Sequence, residues 1–260
     1  MKIPYFEVVA FTQRAFAGNP AGVCFLEEFL DDTRLQAIAA ENNLAETAFV
    51  VPRGKHFDLR WMTPAVEVDL CGHATLASAH VLFHHRGYPE AEVRFQTKSG
   101  ELQVTRDGKR LVLDFPSLPA DSVGLPNELA EALGARPEQL LRGRDYFAIF
   151  PSQNEVAAIQ PDLARVAKLD AQGVVVTAPG DDCDFVSRYF APAAGIPEDP
   201  VTGSTHCTLI PYWSQRLGKK ELFACQISAR RGELFCQNRG DRVSIGGAAV
   251  TYVEGEILLA

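Results

Sequence analysis

Short runs in which apolar and polar residues alternate recur along the whole chain. Before residue 117 they are KIPYFEVVAF, AGVCFL, TAFVVP, FDLRWM, EVRFQT, ELQVTR and RLVLDF; after it come YFAIFP, VAAIQ, GVVVTA, DFVSRYF, CQISA, ELFCQ and VSIGG. A period of two puts alternate side chains on one face, and turn residues separate most of the runs, so each is expected to be a strand. Two longer segments have another rhythm: HATLASAHVLFHHRG after Gly72 and STHCTLIPYWSQRLG after Gly203. Both begin on small or hydroxyl residues, carry apolar residues at helical spacing and stop at Gly87 or Gly218, as a glycine helix end dictates. Both are apolar around most of their circumference, which suits a helix enclosed by sheet. Pro211 lacks an N–H and is expected to interrupt the second helix after two turns. Amphipathic stretches at 33–42 and 162–169 supply one outer helix per half.

The chain also repeats itself. FDLRWMTPA at 57–65 lies over FVSRYFAPA at 185–193, sharing Phe, Arg, an aromatic residue and Pro-Ala at an offset of 128. Gly72 and Gly203 open the two helical segments at an offset of 131, and Gly-Glu-Leu at 100–102 lies over 232–234 at 132. Similar blocks in the same order point to internal duplication. The expected fold is therefore α+β, with two pseudosymmetric domains at 1–117 and 118–260, each a strongly curved, barrel-like sheet around one central helix. The proline-rich stretch 116–126 is the natural linker, and the C-terminal strands are free to cross back.

Composition narrows the function classes. A net charge of −8 without a basic stripe makes nucleic acid a poor partner. No stretch approaches the ~20 apolar residues of a membrane span, and the first residues lack the order of a secretion signal, so a cytoplasmic protein is expected. The six cysteines show no paired metal spacing and are expected to be free thiols.

Candidate chemistry gathers at the loops leading into the two apolar helices. The first is Val68 to Thr75, with Cys71, Gly72 and His73; the second runs from Glu198 to His206, with Asp199, Thr202, Gly203, Ser204 and Thr205. A helix start exposes unpaired backbone N–H groups, which bind anions such as a carboxylate. If the halves join face to face, both loops point at one cleft and clamp a small acid. Ordinary capping is the plainer account of these residue types. Glu46 stands just before a strongly apolar strand, at the edge of a core, where partial desolvation suits a carboxylate to take a proton from carbon. A solvated strand-end glutamate is the alternative. His80 and His84 are one turn apart, a metal-binding spacing, but no acidic third ligand is evident and no metal is expected. His206 and Cys207 are expected to pack, and His56 and His85 to lie on the surface. The turns at Lys98-Ser99 and Arg230-Arg231 offer cationic and hydroxyl groups at equivalent points of the repeat.

NPAGV at 19–23, NNLAETAF at 42–49, LCGHATL at 70–76 and DPVTGSTH at 199–206 resemble the signature segments of PhzF-like proteins, relatives of diaminopimelate epimerase. The resemblance spans nearly the whole chain. It implies a cofactor-free isomerase that is often a homodimer and acts on a small-molecule carboxylate. It also implies that Glu46 shuttles a proton, aided by His73, Asp199 and Ser204, with Gly72 and Gly203 giving backbone N–H groups. Asn19, Cys71, Thr202 and Thr205 fall in the same segments as substrate-binding candidates. Two departures stand out. Ala45 replaces a serine common beside the glutamate, and Pro200 or Val201 stands where a two-cysteine epimerase has its second thiol, which excludes a two-thiol mechanism. The rival reading is a metabolite-binding or protein-interaction module that kept the fold and lost turnover.

Overall fold

A computed structural model describes residues 1–259. The chain divides into two compact units, one of residues 1–115 with 245–260 and one of 116–244. The sequence-based division assigned 245–260 to the second half. Residues 249–258 instead form a strand laid along the first strand of the chain, and this backbone pairing attaches them to the first unit.

The first unit runs β1 (Lys2–Ala10), β2 (Asn19–Phe25), α1 (Asp32–Asn42), β3 (Glu46–Arg53), β4 (His56–Met62), β5 (Glu67–Val68), α2 (Gly72–His84), β6 (Glu92–Thr97), β7 (Gly100–Asp107) and β8 (Arg110–Pro116). Here β2 and β3 are parallel, β3 and β4 antiparallel, β4 and β6 parallel, and β6 and β7 antiparallel. Every residue of α2 from Gly72 to Phe83 is buried. Its hydroxyls bond back along the helix, Thr75 Oγ1 to Cys71 O (2.6 Å) and Ser78 Oγ to Ala74 O (2.8 Å), so polar side chains reach the core with their bonds made. Each apolar side chain enclosed this way, such as Leu76 or Leu82, contributes about 2 kcal/mol relative to exposure.

The second unit continues with β9 (Asp121–Val123), α3 (Asn127–Leu133), β10 (Gln139–Arg142), β11 (Tyr146–Ile149), α4 (Gln153–Ala158), α5 (Leu163–Val166), β12 (Val174–Pro179), β13 (Phe185–Ala191), β14 (Ile196–Asp199), α6 (Gly203–Leu217), β15 (Glu221–Gln226), β16 (Gly232–Asn238) and β17 (Arg242–Gly247). β18 (Ala249–Leu258) then pairs antiparallel with β1 from Lys2–Leu258 to Ala10–Ala249. The pairing order of the first unit recurs: β11 and β12 parallel, β12 and β13 antiparallel, β13 and β15 parallel, β15 and β16 antiparallel. The arginine shared by the two repeats has the same role in both. Arg60 pairs with Glu67 at 2.7 Å and Arg188 with Glu198 at 2.8 Å, each joining neighbouring strands.

Four local expectations are corrected. α6 runs through Pro211 without a break. The missing N–H would leave Cys207 O without a partner, but Leu118 N bonds that carbonyl at 2.9 Å and Thr208 Oγ1 bonds Leu118 O at 2.7 Å. VAAIQ is mostly helix, because Ser152 caps α4 by accepting from Glu155 N. The outer helix expected at 162–169 is a single turn, α5, and the longer α3 helps cover the core of this unit. His85 is half-buried, packed on the Phe6 ring at 4.9 Å and bonded to Thr251 Oγ1 at 2.8 Å. Among the described residues no helix is long and apolar enough to cross a membrane.

Candidate active site

In the first unit the local sequence brings Glu46 inward. Asn43 takes a left-handed conformation (φ 50°) and its N–H bonds Ala39 O, which stops α1. Asn42 Nδ2 donates to Thr47 Oγ1 at 3.1 Å, so β3 begins at Glu46, parallel to β2 and opposite Ala21. Gly18 (φ 64°) lets the chain turn tightly into Asn19; a Cβ there would lie 2.2 Å from Ala10 O.

The result is a buried cluster. Glu46 Oε2 lies 3.2 Å from His73 Nε2, and both residues are more than nine-tenths buried. The two atoms are close enough for an ion pair but are not aligned as a hydrogen bond, and neither has a hydrogen-bond partner among the described residues. On the other side of the ring, Nδ1 is 3.2 Å from Asn19 Nδ2 and 3.5 Å from Cys71 Sγ. With the Asn19 amide so placed, Nδ1 accepts and the ring proton sits on Nε2, facing Glu46. A second proton on Nδ1 requires Asn19 to turn its oxygen to the ring or Cys71 to accept. Burial opposes charge on His73, but Cys71 and Glu46 together outweigh it and hold the imidazole well above its usual range. Burial pushes the Cys71 thiol up to about 11. Cys71 N-caps α2 without a side-chain cap bond, which leaves the first-turn amides after it without that partner.

Glu46, Cys71 and His73 also bring one ligand atom each within 4.8 Å of one another. This donor set suits zinc. The histidines singled out for metal spacing do something else: His80 Nε2 bonds Thr251 Oγ1 at 3.0 Å and stacks on His84.

In the second unit, Asp199 ends β14 and its Oδ2 accepts the Thr202 hydroxyl in a short hydrogen bond. Gln226, fully buried on β15, locks the loop: its Oε1 accepts from Thr202 N (2.8 Å) and its Nε2 donates to Asp199 O (2.8 Å). Thr202 is therefore turned to its own loop by both backbone and side chain. α6 begins at Gly203 without a side-chain cap, and Thr205 Oγ1 bonds Thr202 O at 3.0 Å. Ser204 is half-buried and accepts from Arg144 Nη2 at 3.4 Å. Arg144 also touches the buried Asp145, which accepts from Tyr189 Oη at 2.9 Å. His206 packs inside, donating from Nδ1 to Thr202 O at 2.7 Å.

Gln226 and Arg144 carried no signal in the sequence, since each reaches its loop only through strand pairing. The two turns flagged for charge are engaged locally. Lys98 pairs with Glu67, Ser99 Oγ donates to Asp69 O at 2.7 Å, and Arg231 donates to a cysteine sulfur.

Comparison with known proteins identifies the family. The phenazine biosynthesis-like protein family model matches residues 8–255. A Pseudomonas aeruginosa protein named an uncharacterized isomerase is 51% identical over 259 residues, covering 100% of both chains. The crystal structure of a PhzF-family protein from Enterococcus faecalis superposes with a TM-score of 0.97 at 46% identity, covering 100% of both chains. A hydroxyproline epimerase from Agrobacterium vitis shares the fold alone, with a TM-score of 0.65 at 12% identity over 98% of this chain and 92% of that one. The chain belongs to the phenazine biosynthesis-like, or PhzF, family.

Proposed function

We propose that the protein is an isomerase that moves a proton between carbons of a small carboxylic acid, with Glu46 as its base and no bound cofactor. The observation that carries this reading is the buried Glu46 and His73 pair, close but unaligned, beside the uncapped start of α2. Catalytic hydrogen bonds are often loose before substrate binds. Glu46 takes the proton, His73 or the protonated Glu46 returns it, and amides at the helix starts stabilise the enolate-like charge. Asn19 and Cys71 hold the His73 ring. The loop with Asp199, Gly203, Ser204 and Thr205 is assigned the substrate's carboxylate. The recurring strand-pairing order supports reading the two units as copies of one ancestor, each a sheet wrapped on its central helix.

The test is incubation in deuterated water with a panel of amino, hydroxy and unsaturated acids, with a chelator present. Carbon-bound deuterium that appears with the wild type and is lost in Glu46→Gln, with ligand affinity kept within a few fold, is the expected result. Wild-type exchange in that variant removes Glu46 from the mechanism. A second reading rests on the same three donors: stoichiometric zinc in the purified protein, with activity lost to the chelator, would make this a metal-assisted enzyme. Tight metabolite binding without turnover would favour the binding-module reading.

A further inference from the structure

Within the second unit, β13 and β15 run parallel, with Phe185 opposite Ala224 and Val186 opposite Cys225. The turn that enters β13 is clamped to β15: Asp184 N donates to Phe223 O at 2.7 Å, and Phe223 N donates to Asp184 Oδ2 at 2.8 Å. The clamp fixes Cys183, whose thiol donates to Phe185 O at 3.2 Å and lies against Gly180, where a Cβ would come within 2.5 Å of the sulfur. Cys225 is fully buried in the apolar cluster of the unit, and Cys183 packs against that cluster. On the far side, Arg231 Nη2 donates to Cys225 Sγ at 3.5 Å. Arg231 itself is held in a left-handed conformation (φ 52°), and Gly232 beside it makes room for Val201 of the loop before α6.

The two sulfurs differ chemically. The neighbouring Cys183 side chain and the Arg231 charge outweigh burial and bring the Cys225 thiol down to about 7, while the neighbouring Cys225 and burial push Cys183 up. One is poised as a nucleophile and the other as its resolving partner. The buried cysteines Cys207 and Cys236 of the same unit are both pushed up by burial, Cys207 to about 12.

We propose that Cys183 and Cys225 form a redox-active dithiol that closes to an intramolecular disulfide when a peroxide oxidises Cys225. The Cys225 thiolate attacks one peroxide oxygen, the O–O bond breaks, and a sulfenic acid forms while hydroxide leaves and takes up a proton. Cys183 sulfur then attacks Cys225 sulfur, loses its proton and displaces the second hydroxide. Two thiols and one hydrogen peroxide give one disulfide and two waters, with two electrons passed to the peroxide. A fully buried sulfur favours so small an oxidant over a bulky disulfide. The cross-link lies one residue from Gln226, which holds Asp199 and Thr202 in place.

The test treats the intact chain with a few equivalents of hydrogen peroxide, alkylates the remaining thiols under denaturing conditions and maps tryptic peptides by mass. Cys183 and Cys225 fall in separate peptides, 169–188 and 221–230, each with one cysteine. The expected product is these two peptides joined with loss of two hydrogens and separated by reductant. Cys183→Ser is expected to leave Cys225 as a sulfenic acid trapped by dimedone, and Arg231→Gln to slow cross-linking several-fold at neutral pH. Recovery of both peptides singly alkylated overturns the proposal. So does a cross-link from Cys225 to any other cysteine.

Discussion

His73 concentrates the residue-scale physics of the first unit. Burial alone would keep the ring neutral, yet Cys71 and Glu46 raise its affinity for a proton. The stabilisation from such a raised histidine is fully present below its unfolded value of about 6.5 and is lost as pH climbs through the folded value. Urea unfolding of the wild type and His73→Gln should therefore show a stability gap that narrows as pH rises above about 6.5. A gap that widens with pH would mean the ring is neutral in the folded protein. Removing the ring removes that stabilisation, so the variant should be the less stable of the two near pH 6.

At the scale of elements, α2 and α6 are apolar helices, each with a buried histidine that resists charge. Burial brings both His80 and His206 down to about 4. The sign is opposite to that of His73: stability from a depressed histidine is present above about 6.5 and lost as pH falls toward 4. For His206, whose Nδ1 bonds Thr202 O, the loss amounts to about 3 kcal/mol across that window. Unfolding midpoints between pH 7 and pH 4.5 should fall steeply for the wild type and less steeply for His206→Gln, with His80 supplying the residual slope. Equal slopes would show that His206 takes up its proton without opening the helix.

At the scale of the whole molecule, the chain leaves the first unit after Phe115 and returns to it at Ile245. The last strand completes the pairing of β1, whose Ile3, Phe6, Val8 and Val9 are buried. Each of those side chains contributes about 1.5–3 kcal/mol by burial, and β1 without β18 would keep only its pairing with β2. A chain shortened by residues 249–260 is expected to lose hydrogen-exchange protection over 2–10 while 174–179 and 185–191 stay protected. Protection kept in β1 would show that β18 is dispensable.

Most strands were legible in the sequence because half-buried strands carry a period of two, and α2 and α6 because helices enclosed by sheet are apolar on all sides. The signature segments named Glu46, His73 and Asp199, and local capping explains why Glu46 opens β3. Tertiary structure alone decided the rest. β18 is largely exposed, so its residues carry no alternation to read. Pro211 stays helical only because Leu118, distant in sequence, bonds the carbonyl it leaves free. Asn19 against His73, Gln226 across Asp199 and Thr202, and Cys183 against the cluster that holds Cys225 are contacts made by strand pairing and chain return. A linear sequence records which side chains can bond and pack; only closure of the long loops between them sets which ones meet.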